Sequence, residues 1–245
     1  MNNVSIIAQN FFVIFFLALS HEMGHIAMAF LCGVRPKKLK ITPLGFIAYI
    51  QDFEKICFSK KILILIAGPF VNFVLTIIFF YLDNNFLFNA NLVLLIFNLL
   101  PTYPLDGSKI LMVILTRKIG LINSSTFVMR TSFLINITIF LIGIVQTILF
   151  PFNISLILIF LYLQKKSKDY YIETTKIFYD IILSGHKLNQ QTKIKSIIID
   201  METPFLTVIK RFNPDSFYIV YIKDNKKIVN IMNEFEILEK IKEAK

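Results

Sequence analysis

The stretch His21-Glu22-Met23-Gly24-His25 decides the fold class of this chain, because it lies inside a long apolar run. That run extends from Val4 to Leu31 and is rich in Phe, Ile and Leu on both sides of the histidines. Charged and metal-binding side chains are costly in hydrocarbon, so their presence in a membrane-length segment indicates function. Two histidines four residues apart lie on one face of a helix and can bind one zinc ion.

Glu22 directly follows the first histidine, which places its carboxylate beside such a metal rather than on it. From there it can take a proton from a water molecule that the metal activates. The pattern is typical of a zinc hydrolase, here within a membrane. Chance spacing of two histidines is the alternative, and the interposed glutamate in an apolar segment disfavours it.

The composition indicates a membrane protein. Hydrophobic residues make up 56% of the 245 residues and charged residues only 17%, whereas a soluble domain is about 45–50% apolar. The net charge of +10 is concentrated in loops and in the C-terminal tail, which is typical of cytoplasmic membrane loops, so we predict no nucleic-acid partner. Two cysteines are too few for a disulfide scaffold.

The apolar runs predict an α-helical polytopic membrane protein with about five transmembrane helices. The first run exceeds the ~20 residues that a bilayer needs, and the last is short for a full crossing. Pro101 and Pro104 end the third run. The predicted spans are Val4–Leu31, Ile62–Leu82, Phe86–Leu100, Thr131–Phe150 and Phe152–Leu163.

The distribution of Lys and Arg predicts the orientation. Basic residues follow the first, third and fifth runs, whereas the loops at Asp83-Asn84-Asn85 and at Pro151 contain none. The predicted location is the bacterial cytoplasmic membrane. The positive-inside rule then places the N-terminus outside and the C-terminus in the cytosol. The histidine pair and Asp106, just past the third span, then lie at similar depth on the cytosolic side.

Asp106 is therefore a candidate third zinc ligand. Two prolines end the preceding helix, and Asp106-Gly107 begins the next one. Non-helical backbone at membrane depth is tolerated where protein buries it or where it lines a wet cavity, which suits a metal site. The alternatives are that Asp106 only caps its helix, or that Asp52 or Glu54 is the ligand. Lys109 is predicted to be a snorkelling interface residue.

Three motifs together resemble those of the site-2 protease family of intramembrane zinc metalloproteases. The first is the zinc motif at residues 21–25. The second is Asn98 to Gly107, an Asn followed by prolines and Leu-Asp-Gly, and the third is Ala67-Gly68-Pro69-Phe70-Val71-Asn72. The resemblance covers residues 1–165 and is strongest to the sporulation branch, although Ser108 stands where relatives often have a second Gly.

This resemblance implies an intramembrane zinc endopeptidase with one Zn²⁺ per chain. His21, His25 and Asp106 are the implied metal ligands, Glu22 the catalytic base, and Asn72 a group that binds substrate or transition state. An ordinary interhelical hydrogen bond is the alternative role for Asn72.

The resemblance also implies a membrane-tethered protein substrate. In the sporulation branch this is a pro-sigma factor, cleaved in the mother-cell or outer forespore membrane, with membrane inhibitor proteins as regulators. The alternatives are a membrane quality-control or signalling protease with another substrate, and a non-catalytic membrane scaffold. The intact Glu22 disfavours the scaffold.

Two further segments complete the prediction. Leu39 to Ile50 is either a re-entrant hairpin beside the active-site groove or a basic loop on the membrane surface. Residues 166–245 follow the membrane-embedded domain of residues 1–165 as a small cytosolic α+β regulatory domain. Its predicted elements are a helix over Tyr170–Leu183, a polar linker near Gly185–Lys195, strands over Phe217–Ile222 and Lys227–Ile231, and a helix from Glu234.

This tail resembles half of a cystathionine-beta-synthase-type module. That resemblance implies ATP as a ligand and a homo-oligomer through this domain.

Overall fold

The computed structural model describes residues 3–42, 45–50, 53, 56–150, 153–183, 193–213, 216–225 and 227–243. Contacts divide the chain into two units, Met1–Ile110 and Leu111–Lys245. The predicted domain boundary after residue 165 remains a prediction. The elements are α1 Asn3–Leu31, β1 Pro36–Thr42, β2 Gly45–Ile50, α2 Phe58–Tyr81, α3 Asn85–Asn98, α4 Asp106–Ile119, α5 Leu121–Leu149, α6 Ser155–Leu183, β3 Lys193–Asp200, α7 Phe205–Ile209, β4 Ser216–Asp224, β5 Lys227–Asn233 and α8 Glu234–Glu243.

Among the described residues, three helices are long and apolar enough to cross a membrane, Phe12–Leu31, Phe58–Tyr81 and Leu121–Leu149. The apolar helix α3 is shorter. These four helices overlap four of the predicted spans, and the number that crosses remains a prediction. The predicted fifth span and the predicted tail helix are parts of one continuous helix, α6. The segment that joins them, residues 164–169, is polar and charged, but its residue types are compatible with a helix and do not interrupt it.

In the first unit, α1 packs against α2 and α3. Every fourth residue of its C-terminal half is buried, in the order Leu17, His21, His25 and Ala29. This is the spacing that places side chains on one helix face. On other faces large apolar side chains are exposed, as lipid contact requires: Phe16 is 60% and Phe30 62% exposed.

Polar side chains join α2 to α3 inside the apolar layer. The Asn91 side-chain nitrogen donates to the backbone carbonyl of Asn72 and to the Thr76 hydroxyl, the latter at 2.8 Å. The Thr76 hydroxyl donates to the same Asn72 carbonyl at 2.8 Å. Interhelical hydrogen bonds of this kind are worth ~0.6–2 kcal/mol in a membrane. They fix the helix that leads to Asp106.

Strands β1 and β2 form an antiparallel hairpin, in which Lys40 pairs with Ile47 and Thr42 with Gly45. The segment predicted as a re-entrant hairpin is thus a hairpin, and β2 lies beside α1. Its entry into the membrane remains a prediction.

In the second unit, α5 packs along α6, and the tail forms a three-stranded sheet. β4 lies in the centre, parallel to β3 and antiparallel to β5. The two predicted strands and the last helix are present as β4, β5 and α8. Most of the predicted polar linker lies outside the described residues, and the prediction is wrong at its end, because β3 begins at Lys193. The first residues of β3 are largely exposed and mostly polar, and the strand pairs with β4.

The tail contacts the beginning of α5. The backbone N–H of Leu121 donates to the carbonyl of Phe212 at 3.2 Å. Gly120 has φ +84°, and a Cβ there would lie 2.5 Å from the carbonyl carbon of Arg211. Only glycine suits both the left-handed conformation and this close approach.

Candidate metal centre

Helix α1 holds the two histidines on its buried face, where His21 is 3% and His25 6% exposed. Their Nε2 atoms lie 3.2 Å apart. The Nδ1 of His25 lies 2.7 Å from the carbonyl oxygen of Ile64 in α2. A carbonyl can only accept, so Nδ1 carries the hydrogen and Nε2 keeps its lone pair for a metal. A hydrogen bond of this type orients metal-ligating histidines.

Asp106 completes the cluster from a distant part of the chain. Its Oδ2 atom lies 2.8 Å from Nε2 of His21 and 2.8 Å from Nε2 of His25. The carboxylate is turned toward the histidines, which favours ligation over a purely local helix cap. The structure thus brings the three predicted ligands together.

The loop between α3 and α4 delivers Asp106 through tight turns. The N–H of Thr102 donates to Leu100 and the N–H of Leu105 to Thr102, at 2.8 and 2.9 Å. A Cβ at Gly107 would lie 2.1 Å from the carbonyl oxygen of Leu99. A larger residue at this position would push the first turn of α4, and Asp106 with it, away from α3.

The donor atoms suit a zinc ion. They lie 2.8–3.2 Å apart, close to the ~3.3 Å expected between ligand atoms of a tetrahedral zinc with bonds of ~2.0–2.1 Å. Two imidazoles and one carboxylate form a catalytic donor set that leaves one position open. Gly68 of α2 leaves room for the two imidazole rings, because a Cβ there would be 2.3 Å from Nε2 of His25.

Glu22 lies beside the donor atoms. One carboxylate oxygen of Glu22 and one nitrogen each of His21 and His25 are all within 4.8 Å of one another. Glu22 is half-buried and thus more exposed than His21 and His25. This position is suitable for a base acting next to a metal.

Asn72 lies one helical turn after Gly68, and thus on the α2 face that borders the histidines. It is fully buried, and neither its side-chain oxygen nor its nitrogen has a hydrogen-bond partner among the described residues. The interhelical hydrogen bond at this level uses the side chain of Asn91 and only the backbone of Asn72. The amide group of Asn72 is therefore available to a ligand.

Sequence reasoning missed several supporting residues. Gly24 lets α1 approach α2, because a Cβ there would be 2.8 Å from the carbonyl oxygen of Ala67. Lys109 does not simply snorkel, since its Nζ lies 3.0 Å from Oδ1 of Asp106. The i, i+3 spacing of Asp106 and Lys109 was a usable signal for this pair. The rival carboxylates Asp52 and Glu54 lie outside the described residues.

We predict that Gly68→Ala displaces the histidines and lowers the affinity for zinc about tenfold or more. The added methyl group would lie 2.3 Å from Nε2 of His25 and 2.7 Å from Nε2 of His21. Gly143→Ala is the matched control, since its Cβ would meet α6 side chains at 3.2 Å, a tight contact that small shifts relieve. Zinc content of the purified variants measures the effect. Normal zinc in Gly68→Ala would show that this close approach is not needed.

Comparison with known proteins agrees with this geometry. Residues 9–86 match the model of peptidase family M50. Over 195 residues the chain is 30% identical to the zinc metalloprotease MJ0392 of Methanocaldococcus jannaschii, an alignment that covers 74% of this chain and 55% of that protein. The chain thus spans about half the length of this relative.

Two further similarities cover more of the relative. The chain is 23% identical over 233 residues to stage IV sporulation protein FB of Bacillus subtilis (strain 168), covering 91% of this chain and 80% of that one. The solved structure of the site-2 protease from Methanocaldococcus jannaschii matches with a TM-score of 0.54 and 28% identity, over 65% of this chain and 76% of that chain. The chain is thus similar in sequence to peptidase family M50 and to a zinc metalloprotease, and in structure to a site-2 protease.

Proposed function

We propose that this protein is an intramembrane zinc metalloendopeptidase. The observation that carries the proposal is the convergence of Nε2 of His21, Nε2 of His25 and Oδ2 of Asp106, each within 3.2 Å of the others. Glu22 stands next to this cluster. The histidines lie in a helix long and apolar enough to span a membrane, where such a cluster is costly unless it functions.

In this proposal His21, His25 and Asp106 hold the metal. A zinc ion bound there would polarise the scissile carbonyl and activate a water molecule. Glu22 takes the proton of the attacking water and later gives it to the leaving amine. The amide nitrogen of Asn72 donates a hydrogen bond to the oxygen that becomes negatively charged.

Substrate presentation is proposed to use the hairpin. A helical peptide bond is shielded by its own hydrogen bonds, so the substrate must be unwound before attack. An extended substrate segment can pair with the free backbone edge of a strand. The hairpin of β1 and β2 lies beside α1, which carries the zinc motif, and this position supports the proposal.

The proposed substrate is a membrane-tethered protein, and a pro-sigma factor is the first candidate. Similarity to stage IV sporulation protein FB over 91% of the chain supports it. In that case the enzyme acts in the mother-cell or outer forespore membrane under membrane inhibitor proteins. A quality-control or signalling role with another substrate is the second candidate, favoured by the higher identity to a zinc metalloprotease whose name carries no sporulation role.

The test is co-expression of the chain with tethered candidate precursors, including a pro-sigma factor. We expect a size shift of the true substrate on immunoblots, and purified protein that contains zinc. Removal of zinc by a chelator should stop cleavage, and added zinc should restore it. Purified protein that binds no zinc under any condition would refute the proposal.

We propose a regulatory role for the tail, as a cytosolic domain that binds ATP and pairs with a second copy of the chain. The order strand, helix, strand, strand, helix from β3 to α8 supports a half-module of the cystathionine-beta-synthase type. The hydrogen bond from Leu121 to Phe212 joins the tail to the helix that follows α4.

Deletion of residues 190–245 should leave bound zinc unchanged, since the proposed ligands lie outside them, while processing of a native protein substrate falls sharply. Zinc content and processing rate are measured with and without ATP. A short peptide that lacks the soluble part of the protein substrate is the reference substrate. A truncated enzyme that processes the protein substrate at the full rate, together with no effect of ATP on the intact one, would rule out this role.

A further inference from the structure

Lys109 donates a hydrogen bond to the carboxylate oxygen of Asp106 that does not face the histidines. Its Nζ lies 3.0 Å from Oδ1, whereas Oδ2 lies 2.8 Å from both Nε2 atoms. The two oxygens of this carboxylate thus have different partners. One faces the candidate metal position and the other faces an ammonium group.

The position of Lys109 is costly for the helix that carries it. Lys109 lies in the first turn of α4, where the helix dipole favours negative charge and disfavours a cation. Its side chain is only 21% exposed, so it is drawn back from water toward Asp106. A hydrogen bond between charged groups is stronger than one between neutral groups, which offsets these costs.

The neighbouring side chain does not share this contact. Ser108 is buried, and its hydroxyl donates to the carbonyl of Leu105 at 2.6 Å. Ser108 thus anchors the turn before α4, whereas Lys109 reaches the carboxylate itself.

We propose that Lys109 is a positioning residue that makes Asp106 a ligand through one oxygen only. Carboxylates can bind a metal through one or both oxygens. With Oδ1 held by Lys109, only Oδ2 is directed at the metal, and the fourth position of the ion stays open for water or the substrate carbonyl. Without Lys109, Oδ1 would be free to turn inward and add a fifth donor atom next to the ligand in that position. The inference rests on the proposed zinc site.

The test uses cobalt(II) in place of zinc, because the visible absorption of cobalt reports its coordination number. Lys109→Met keeps an unbranched apolar side chain, one atom shorter, and removes the charge and the donors. We expect weaker, shifted absorption bands that indicate a five-coordinate ion, and cobalt affinity about tenfold lower in competition with a chelator, as for other outer partners of metal ligands. Lys118→Met is the matched control, at the exposed far end of the same helix, and should match the wild type.

Lys109→Arg keeps a cationic donor and should retain the wild-type cobalt spectrum, which a purely packing role would not require. A Lys109→Met spectrum and affinity identical to wild type would overturn the inference while leaving the zinc site intact. If Lys109→Met does not fold, loss of the wild-type spectrum in a folded Lys109→Arg would overturn it instead. Failure of the wild-type protein itself to bind cobalt or zinc would refute the proposed function.

Discussion

Glu22→Gln should abolish cleavage of a membrane-tethered substrate, while zinc still co-purifies at a ratio close to that of the wild type. Gln has the shape of Glu but cannot accept the proton of the attacking water, and a positioned general base contributes about 10²–10⁴-fold to a rate. Glu22 lies within 4.8 Å of the histidine donors without being one of the proposed ligands. The variant should therefore separate metal binding from catalysis, as measured by zinc content and by the rate of substrate processing.

Glu173→Gln is the matched control, since it makes the same chemical change at an exposed position of α6. It should process substrate at the wild-type rate. Substantial turnover by Glu22→Gln would remove this residue from the mechanism, and parallel loss of zinc would assign it to the metal instead. A non-catalytic scaffold would instead show no cleavage by the wild type or by either variant.

The local part of the site was predictable from the sequence. The spacing of His21 and His25 needs only the period of a helix, which a long apolar run makes secure. Asp106 was predictable from the two prolines before it and from its depth relative to the histidines. One argument uses the periodicity of a single segment, and the other uses the depth of two segments in the membrane. The structure places these residues together.

Contacts between helices were not predictable in the same way. The need for glycine at position 68 depends on how closely α2 approaches the two histidines, and the sequence does not state that distance. The hydrogen bonds of Asn91 depend on the alignment of α3 with α2. An Asn in an apolar run indicates a polar contact, but the partner is set by packing.

The tail shows a different limit. β4 and β5 are antiparallel neighbours joined by a turn at Asn225, where φ is 53°, so they form a recognisable local hairpin. β3 pairs in parallel with β4 from beyond a helix, and its outer residues are exposed. Parallel pairing leaves no local turn signal, so this strand became clear only from its partner.

Replacement of any one of the three proposed ligands should remove both zinc and activity. His21→Ala, His25→Ala and Asp106→Ala each delete a donor atom that lies within 3.2 Å of the other two. Loss of a residue that only hydrogen-bonds to a metal ligand lowers the metal affinity about 10–100-fold. Loss of a ligand itself should lower the affinity for zinc by more than this. Zinc content, chelator competition and substrate processing measure the result. Asp52→Ala and Glu54→Ala, the rival carboxylates, should change neither.

Asp106 provides the decisive case, because its two candidate roles predict different results. As a ligand, its loss should remove zinc even when the protein remains folded. As a helix cap alone, its loss should cost about 0.5–2 kcal/mol of stability and leave the metal in place. Asp106→Asn distinguishes them further, since Asn caps a helix about as well as Asp but lacks the negative charge that zinc favours. Full zinc and full rate in Asp106→Ala would mean that the third ligand lies elsewhere, whereas zinc loss in a stably folded Asp106→Asn would assign the carboxylate to the metal.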